Sequence, residues 1–257
     1  MDFRNKVVLI VGASSGIGRA LALRLAGLGA RVAAVGRREE RLRSLMTEIS
    51  AQSGYCSIHA ADTRDTRAAE QVVQTVLVQN GRIDLLVLNA GGAPAIDMRT
   101  MDAAQVLDYM RSNYDVSVNV LFPVLRAMRA QNSGVVAVTN SLAGLLGVPL
   151  QGPYCAAKGA LKLLIDTCRV EFGSFGIRFV SIYPRFIATE ATSGDGMPAP
   201  FQMSEARAVD HILRAIRGGY LDYAFPWSMA ALVRVANVLP KRLVVRVLRR
   251  DVPRLPA

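Results

Sequence analysis

The sequence predicts an α/β fold: a Rossmann-like, doubly wound parallel sheet of about seven strands flanked by helices, followed by C-terminal amphipathic helices. Three observations support this prediction. Short apolar runs, typical of strands buried on both faces, alternate with longer stretches of helical spacing. A glycine-rich turn follows the first run directly. Most of the later runs lead into a glycine, a proline or a polar residue, at the sheet edge where such folds bind ligands.

The strands and helices follow in order along the chain. Residues 6–11 form the first expected strand, and residues 19–28 have the spacing of a helix. The remaining strands are expected at 31–35, 55–60, 85–88, 135–139 and 178–183, with an edge strand at 222–225. The remaining helices are expected at 39–52, 65–79, 101–130, 154–172 and 204–217. Because proline lacks a backbone N–H, Pro123 is expected to kink or break the long helix 101–130.

Composition narrows the class of protein. The chain has 257 residues, of which 51% are hydrophobic, so it can bury a full core and is not disordered as a whole. Its 3 cysteines form no CxxC pair, which favours reduced thiols and a cytoplasmic setting. The 2 histidines lack metal-ligand spacing, so we predict no metal site. We expect neither a signal peptide nor a spanning helix, because no apolar run is long enough.

Much of the net charge of +11 lies near the C-terminus. Residues 226–257 hold seven basic residues and one acid, which supplies +6 of the total. Pro240 divides this segment into two amphipathic stretches, the second with arginines on one face and aliphatic residues on the other. We predict one domain, 1–225, and a C-terminal extension, 226–257. Three roles are predicted as alternatives for the extension: peripheral contact with an anionic membrane surface, a cover over the pocket, or contact with another subunit. Nucleic-acid binding is not expected, because no nucleic-acid-binding pattern accompanies the charge.

A glycine-rich loop joins the first strand to the first helix. In this context glycines let the backbone turn tightly and approach a pyrophosphate, which is stabilised at the positive N-terminus of the helix. The loop therefore predicts a dinucleotide site. Its expected cofactor contacts are Gly12, Ser14, Ser15, Gly16, Ile17 and Gly18.

The second predicted strand ends in Gly36, Arg37 and Arg38. An acid at this point accepts a hydrogen bond from the 2′-hydroxyl of an adenosine ribose, whereas an arginine suits a 2′-phosphate. Here two arginines follow the strand and no acid does, so NADP(H) is predicted over NAD(H), with Arg37 and Arg38 as cofactor contacts. The alternative, that the arginines only begin the next helix, applies better to Arg38.

Tyr154 and Lys158 stand four positions apart on a predicted helix, one turn from each other on the same face. A free tyrosine is a poor acid at neutral pH, since its pKa is about 10. A nearby ammonium stabilises the phenolate and lowers that pKa. The pair is therefore a candidate proton donor and acceptor.

Together these motifs resemble the short-chain dehydrogenase/reductase family across residues 6–189. Gly12, Gly16 and Gly18 match the family's TGxxxGxG pattern, and residues 89–91 match its NAG segment. Two departures stand out. Val11 replaces the usual threonine, which bears on stability more than chemistry. Arg185 replaces the glycine that usually follows the proline, which changes backbone freedom and charge close to the cofactor.

The resemblance assigns roles to further residues. It implies four catalytic residues: Asn113, Ser141, Tyr154 and Lys158. With the residues at the strand ends, it extends the predicted cofactor contacts to Asp62, Thr63, Asn89, Ala90, Gly91, Tyr154, Lys158, Pro184, Ile187 and Thr189. Asn113 is expected to link Lys158 to solvent through a helix carbonyl and water.

The implied activity is NADP-dependent interconversion of a ketone or aldehyde and an alcohol, with Tyr154 as acid and base. The expected partners are a small-molecule carbonyl or alcohol substrate, apolar or lipid-like, and further copies of the chain in a homodimer or homotetramer. Residues 190–203, rich in small residues, are expected to form a mobile lid. Two alternatives remain: a non-catalytic dinucleotide-binding or regulatory protein, and a membrane-surface reductase of lipid ketones.

Overall fold

A sheet of seven parallel strands forms the centre of the molecule, in the order β3-β2-β1-β4-β5-β6-β9. The computed structural model describes residues 1–184, 187–188 and 203–252. The strands of this sheet are β1 Val7–Val11, β2 Arg31–Gly36, β3 Tyr55–Ala60, β4 Leu85–Leu88, β5 Gly134–Thr139, β6 Ile177–Pro184 and β9 Asp222–Phe225. The predicted fold class is confirmed, and so is the expected edge strand, which pairs with β6.

Helices cover both faces of the sheet. They are α1 Gly16–Gly27, α2 Glu39–Ala51, α3 Thr66–Asn80, α4 Ala103–Met110, α5 Val116–Gln131, α6 Gly152–Phe172, α7 Glu205–Gly218, α8 Trp227–Val238 and α9 Lys241–Leu248. One core lies between the sheet and α1, α2 and α7, and the other between the sheet and α3, α5 and α6. Right-handed crossovers place helices on both sides of a parallel sheet in this way.

Strand β1 shows how the sequence produces this packing. All five of its residues are buried. Because successive side chains point to opposite faces of a strand, Val8 and Ile10 join the first core, whereas Leu9 and Val11 join the second. Both faces of this strand therefore need apolar side chains, which explains the unbroken apolar run.

Capping residues set the first and last residues of α3 and the start of α7, close to the positions predicted from the sequence. The Asp65 carboxylate accepts from the backbone N–H of Arg67 and Ala68, at 2.7 and 3.0 Å, and caps α3. Gly81 ends the same helix in the left-handed region, with φ 74°. Ser204 caps α7 in the same manner as Asp65.

The long helix expected at 101–130 is irregular, but not at the proline. Pro123 lies inside α5 and is buried in the second core, so packing offsets the hydrogen bond that it cannot donate. The departure from α geometry comes earlier, at the π-helical segment Arg111–Asp115, which joins α4 to α5. Such π turns insert one extra residue into a helix. Here that turn carries Asn113.

The remaining strands and helices lie towards the C-terminus. A short strand β7, Ile187–Ala188, pairs with β8, Met203–Ser204. The expected lid falls outside the described residues apart from Met203, as do Arg185 and Thr189. Pro240 separates α8 from α9, as the sequence predicts. Across the residues that the structure describes, every helix is too short or too polar to cross a bilayer.

Candidate active site

A cleft of about 1180 Å³ runs along the carboxyl ends of the strands. Its size exceeds the range of about 300–1,000 Å³ that is usual for one small ligand, so a dinucleotide and a substrate can share it. Most of the described candidate residues line it: Gly12, Ser14, Ser15, Gly16, Ile17, Arg37, Arg38, Asp62, Thr63, Asn89, Ala90, Gly91, Asn113, Ser141, Tyr154, Lys158, Pro184 and Ile187. The strand ends thus bring one predicted site together.

The glycine loop packs against the end of β4. Gly12 has φ +87°, and a Cβ added there would lie 2.8 Å from the Ala90 Cα. Gly18 does not line the cleft; a Cβ on it would lie 2.0 Å from the Gly12 carbonyl oxygen. In the structure Gly18 allows close packing of α1 on the loop, and its contact with the cofactor stays a prediction.

The N-terminus of α1 opens onto the cleft. Its N-cap residue, Ser15, makes no side-chain hydrogen bond to the first turn. The first backbone N–H groups of a helix have no partner within the helix, and their partial positive charge attracts phosphate. Gly16, in the left-handed region at φ 55°, leaves the approach to these groups clear of a side chain. The loop and the helix end together fit a pyrophosphate.

Arg38 does more than begin α2. Its guanidinium donates to the hydroxyl oxygens of Ser14 and Ser15, at 3.1 and 2.5 Å, and so closes over the glycine loop. Arg37 is exposed at the rim of the cleft. The two arginines therefore have different positions, one against the loop and the other towards solvent.

The side chains of Asp62 and Thr63 are engaged by other parts of the protein. Asp62 pairs with Arg64 at 2.7 Å, and the hydrogen bonds from Arg64 hold the pKa of the Asp62 carboxyl below its usual value, with Arg37 adding a smaller effect. The buried Thr63 hydroxyl donates to the Val116 carbonyl oxygen at 3.0 Å. Arg64 also lines the cleft and was not predicted, although its position two residues after an acid is a signal for a local pair.

Lys158 is almost fully enclosed, with 4% of its surface exposed. Its ammonium donates to the backbone carbonyl oxygen of Thr139, the last residue of β5, at 2.9 Å. Burial disfavours the charged form and lowers the pKa of Lys158 to about 8. The sequence contains no signal for this role of Thr139, because a backbone carbonyl accepts a hydrogen bond whatever the side chain.

Tyr154 differs from the expectation. The Lys158 Nζ lies 5.7 Å from the centroid of the Tyr154 ring. Burial raises the pKa of Tyr154 to about 12, and the nearby Ser141 hydroxyl only partly opposes this. The expected lowering of the Tyr154 pKa is therefore not found, because desolvation in the cleft is the largest effect on it. At neutral pH this phenol holds its proton.

Ser141 stands beyond the end of β5, facing the cleft. Its Oγ accepts a hydrogen bond from the backbone N–H of Ala143 at 3.1 Å. A hydroxyl that accepts one bond can still donate its own proton. Ser141 can therefore donate to an oxygen atom placed between it and Tyr154.

Asn113 sits in the π turn and is 2% exposed. Its Oδ1 accepts from the Gly92 N–H at 3.0 Å, and its Nδ2 donates to the Tyr109 carbonyl oxygen at 3.1 Å. Among the described contacts no direct hydrogen bond joins it to Lys158. Gly91 separates the two: a Cβ there would lie 2.6 Å from Oδ1 and 3.8 Å from Nζ. Asn113 therefore fixes the loop after β4.

One part of the cleft lining is apolar. Five residues form it: Leu142, Leu146, Val148, Met229 and Val233. The last two belong to α8, in the C-terminal extension. A position over the pocket was one of the three roles predicted for this extension. Asn237 anchors this helix by donating to the Leu145 carbonyl oxygen at 2.8 Å. The first half of the extension thus forms a wall of the cleft.

Comparison with known proteins agrees with this geometry. The family model described as short chain dehydrogenase matches residues 6–196, well over half of the chain. The chain belongs to the short-chain dehydrogenase/reductase family. Members of this family are oxidoreductases that use a nicotinamide dinucleotide, NAD or NADP, and act on small molecules.

Individual relatives of this short-chain dehydrogenase/reductase support the assignment. An uncharacterized oxidoreductase of Myxococcus xanthus is 32% identical over 249 residues, covering 97% of this chain and 98% of that protein. L-rhamnose 1-dehydrogenase (NAD(P)(+)) of Azotobacter vinelandii is 32% identical over 196 residues, covering 74% of this chain and 77% of that protein. The crystal structure of levodione reductase superposes with a TM-score of 0.81 at 25% identity, covering 89% of this chain and 99% of that one.

Proposed function

We propose that this protein is an NADP(H)-dependent carbonyl reductase that converts an apolar ketone or aldehyde to an alcohol. One observation carries the proposal: the Tyr154 phenol, the Ser141 hydroxyl and the Lys158 ammonium line the same cleft as the glycine loop. We infer that residues 1–225 form the catalytic domain and that 226–257 extend it. Assembly of the chain into homodimers or homotetramers is proposed by analogy with the family.

Tyr154 acts as the general acid. Because its pKa is raised to about 12, the phenol is protonated at neutral pH and can donate to the substrate oxygen. Ser141 donates a second hydrogen bond to the same oxygen, where negative charge develops in the transition state.

Lys158 stabilises the anionic form of Tyr154 after the proton has left. An ammonium near a phenolate favours it, and the low dielectric of the cleft strengthens that attraction. Lys158 would also hold the nicotinamide ribose. Its bond to the Thr139 carbonyl fixes the direction of approach.

The residues of the cleft fit a nicotinamide dinucleotide. When bound, this group supplies the hydride that the carbonyl carbon accepts. The glycine loop and the N-terminus of α1 would hold the pyrophosphate, and the turn 89–91 would lie under the adenine side. Pro184 and Ile187 line the cleft and would contact the nicotinamide end.

Arg37 supports NADP(H) as the cofactor. It is exposed at the cleft rim after β2, and no acid occupies the position that would bind a ribose hydroxyl. Arg38 is held by the serine hydroxyls of the loop and adds positive charge beside the same place. A 2′-phosphate would gain charge-assisted hydrogen bonds here.

The test is NADPH consumption with a panel of ketones that increase in chain length. Turnover that favours apolar ketones and is lost in Tyr154→Phe supports the proposal. The alternative, a regulatory dinucleotide-binding protein, gains its support from the same glycine loop. It would bind NADPH and leave every ketone unchanged, which is the outcome that overturns the reductase.

A further inference from the structure

Helix α8 has two apolar faces. One of them packs beside the cleft, where Ala230 and Val233 are 6% and 8% exposed. On the opposite side Leu232, Val235 and Val238 are 59%, 53% and 82% exposed. A helix that is apolar all round normally has both sides covered. The outer side of α8 therefore lacks a covering surface among the described residues.

Exposed apolar side chains also follow Pro240, on α9. Val244 is buried, while Leu243 and Val247 are 48% and 59% exposed. Trp227, at the start of α8, is 79% exposed. We call this set the C-terminal face: Trp227, Leu232, Val235, Val238, Leu239, Leu243 and Val247. Half of the exposed large apolar side chains in the described part of the chain lie between residues 227 and 252. Such a concentration marks an interaction surface.

The same two helices and the turn after them also carry basic side chains. They are Arg234, Lys241, Arg242, Arg246, Arg249 and Arg250, all exposed. None of them forms an ion pair with another residue in the ranges that the structure describes. Elsewhere in the molecule many arginines do, as Arg126 does with Glu70 at 2.6 Å. The charge of the C-terminal face is therefore unbalanced.

The charge decides between two occupants. If two copies of the chain met through this face about a two-fold axis, each basic cluster would meet another, since the same patch contacts itself. That contact would be repulsive. An anionic lipid surface offers the opposite: phosphate groups for the arginines, and an acyl boundary for the aliphatic and indole side chains.

We propose that the C-terminal face docks the protein on the surface of an anionic lipid bilayer. Helices α8 and α9 lie in the plane of the headgroups, with the apolar side chains inserted and the arginines among the phosphates. Met229 and Val233 of α8 also line the cleft, so this part of its lining comes within about one helix diameter, ~10 Å, of the membrane. This last point rests on the proposed function: it suits an apolar carbonyl substrate that partitions into lipid.

Co-sedimentation of the full chain with vesicles tests the docking without any turnover. Vesicles of phosphatidylcholine containing phosphatidylglycerol should bind the protein at low salt. Binding should weaken as salt is added and be weak to phosphatidylcholine alone, because screening removes the charge term. Tyr154→Phe should bind like the parent, so that failure of the catalytic proposal and failure of docking are separate results.

Two pairs of variants locate the surface. Leu232→Asp and Val235→Asp should each reduce binding, whereas Val78→Asp, at a residue 86% exposed on α3, should not. Arg242→Gln combined with Arg246→Gln should lower partitioning roughly 25-fold, since each basic residue near an anionic leaflet contributes roughly fivefold. The matched control, Arg67→Gln combined with Arg207→Gln, should leave partitioning unchanged. Melting temperatures equal to that of the parent establish that each variant is folded.

Three outcomes overturn the proposal. In the first, the protein stays in the supernatant with anionic vesicles at low salt. In the second, it binds, but the variants of the C-terminal face bind as the controls do. In the third, vesicles fail to bind while Val235→Asp lowers the mass measured by sedimentation velocity; this outcome assigns the face to contact between copies of the chain.

Discussion

Lys158 donates a hydrogen bond to the Thr139 carbonyl oxygen over 2.9 Å, from a position where only 4% of its surface is exposed. This bond ties α6 to the end of β5 at the centre of the cleft. One carbonyl replaces little of the hydration that an ammonium loses on burial. The lysine is therefore kept at a cost to stability, and that cost depends on pH.

Lys158→Met should raise the free energy of unfolding at pH 7, by up to about 3 kcal/mol on the scale of 1.36 kcal/mol per pKa unit. The folded-state pKa of about 8 lies below the usual 10.5, so the charge is a cost that is full below pH 8 and vanishes as pH rises to 10.5. The gain should shrink over that window in urea melts. Lys162→Met, which removes an ammonium paired with Asp166 at 2.6 Å, should show no such gain. An equal gain at pH 7 and pH 10.5 would contradict this account.

Turnover should fall as pH rises through about 8, because Lys158 then loses its charge while Tyr154, with a pKa of about 12, keeps its proton. The measurement is the pH profile of kcat/KM for ketone reduction, which reports groups of the free enzyme. A profile that stays flat up to pH 10 would show that the charge on Lys158 does not matter for the reaction.

Tyr154→Phe should lower kcat at least 100-fold, on the scale of roughly 10²–10⁴ for general acid catalysis, and leave NADPH binding nearly unchanged. The phenyl ring keeps the packing and removes only the proton. Tyr223→Phe, which removes a hydroxyl 3.1 Å from the His211 Nδ1 and outside the cleft, is the control and should keep its turnover. Stopped-flow measurements of NADPH binding and oxidation give the affinity for NADPH and kcat of each variant. If Tyr154→Phe keeps more than a hundredth of the parent rate, Tyr154 is not the general acid.

Arg37→Asp should reduce the preference for NADPH over NADH roughly 10- to 100-fold, the loss of one or two charge-assisted hydrogen bonds plus a new repulsion. Arg41→Asp, one turn further along α2 and not among the cleft residues, should keep the preference. Dissociation constants from fluorescence titration with each nucleotide decide this. If the parent binds both equally, the assignment of Arg37 to a 2′-phosphate fails.

Gly18→Ala should destabilise the fold by about 1–3 kcal/mol and weaken cofactor binding, because the added methyl group would displace the Gly12 carbonyl from its position 2.0 Å away. Gly27→Ala lies on the same helix, with nothing within 4 Å of the added carbon, and should stabilise by about 0.4–1 kcal/mol. Thermal melts with and without NADPH compare the two. Equal effects would show that the loop tolerates a side chain at position 18.

The strand positions were predictable because a strand buried on both faces needs apolar residues throughout, as in β1. The cleft was predictable for the related reason that parallel strands end at one edge, which gathers Gly12, Asn89 and Ser141. Caps such as Asp65 were readable because their partners lie two and three residues away.

Other features depend on contacts that sequence spacing does not contain. The four-residue spacing of Tyr154 and Lys158 predicts that they share a face, but the degree of burial decides the direction of the Tyr154 pKa, and burial comes from the whole fold. Likewise Arg38 was predicted as a cofactor contact, with the start of a helix as the alternative. Its contact with Ser14 was not predicted, because it joins residues 24 positions apart.

The π turn at Arg111–Asp115 separates two helix registers. Each residue of an α-helix advances about 100° around the axis, so one inserted residue resets which side chains face a given direction. Tyr109, whose hydroxyl donates to the Gly92 carbonyl oxygen at 3.1 Å, belongs to the register before the turn, and Val120 in the second core belongs to the register after it. The insertion lets the contact with the loop after β4 and the packing of α5 on the sheet change independently during evolution. If a single residue were removed from this turn, α4 and α5 would share one helical register, and the two contacts could no longer be set separately.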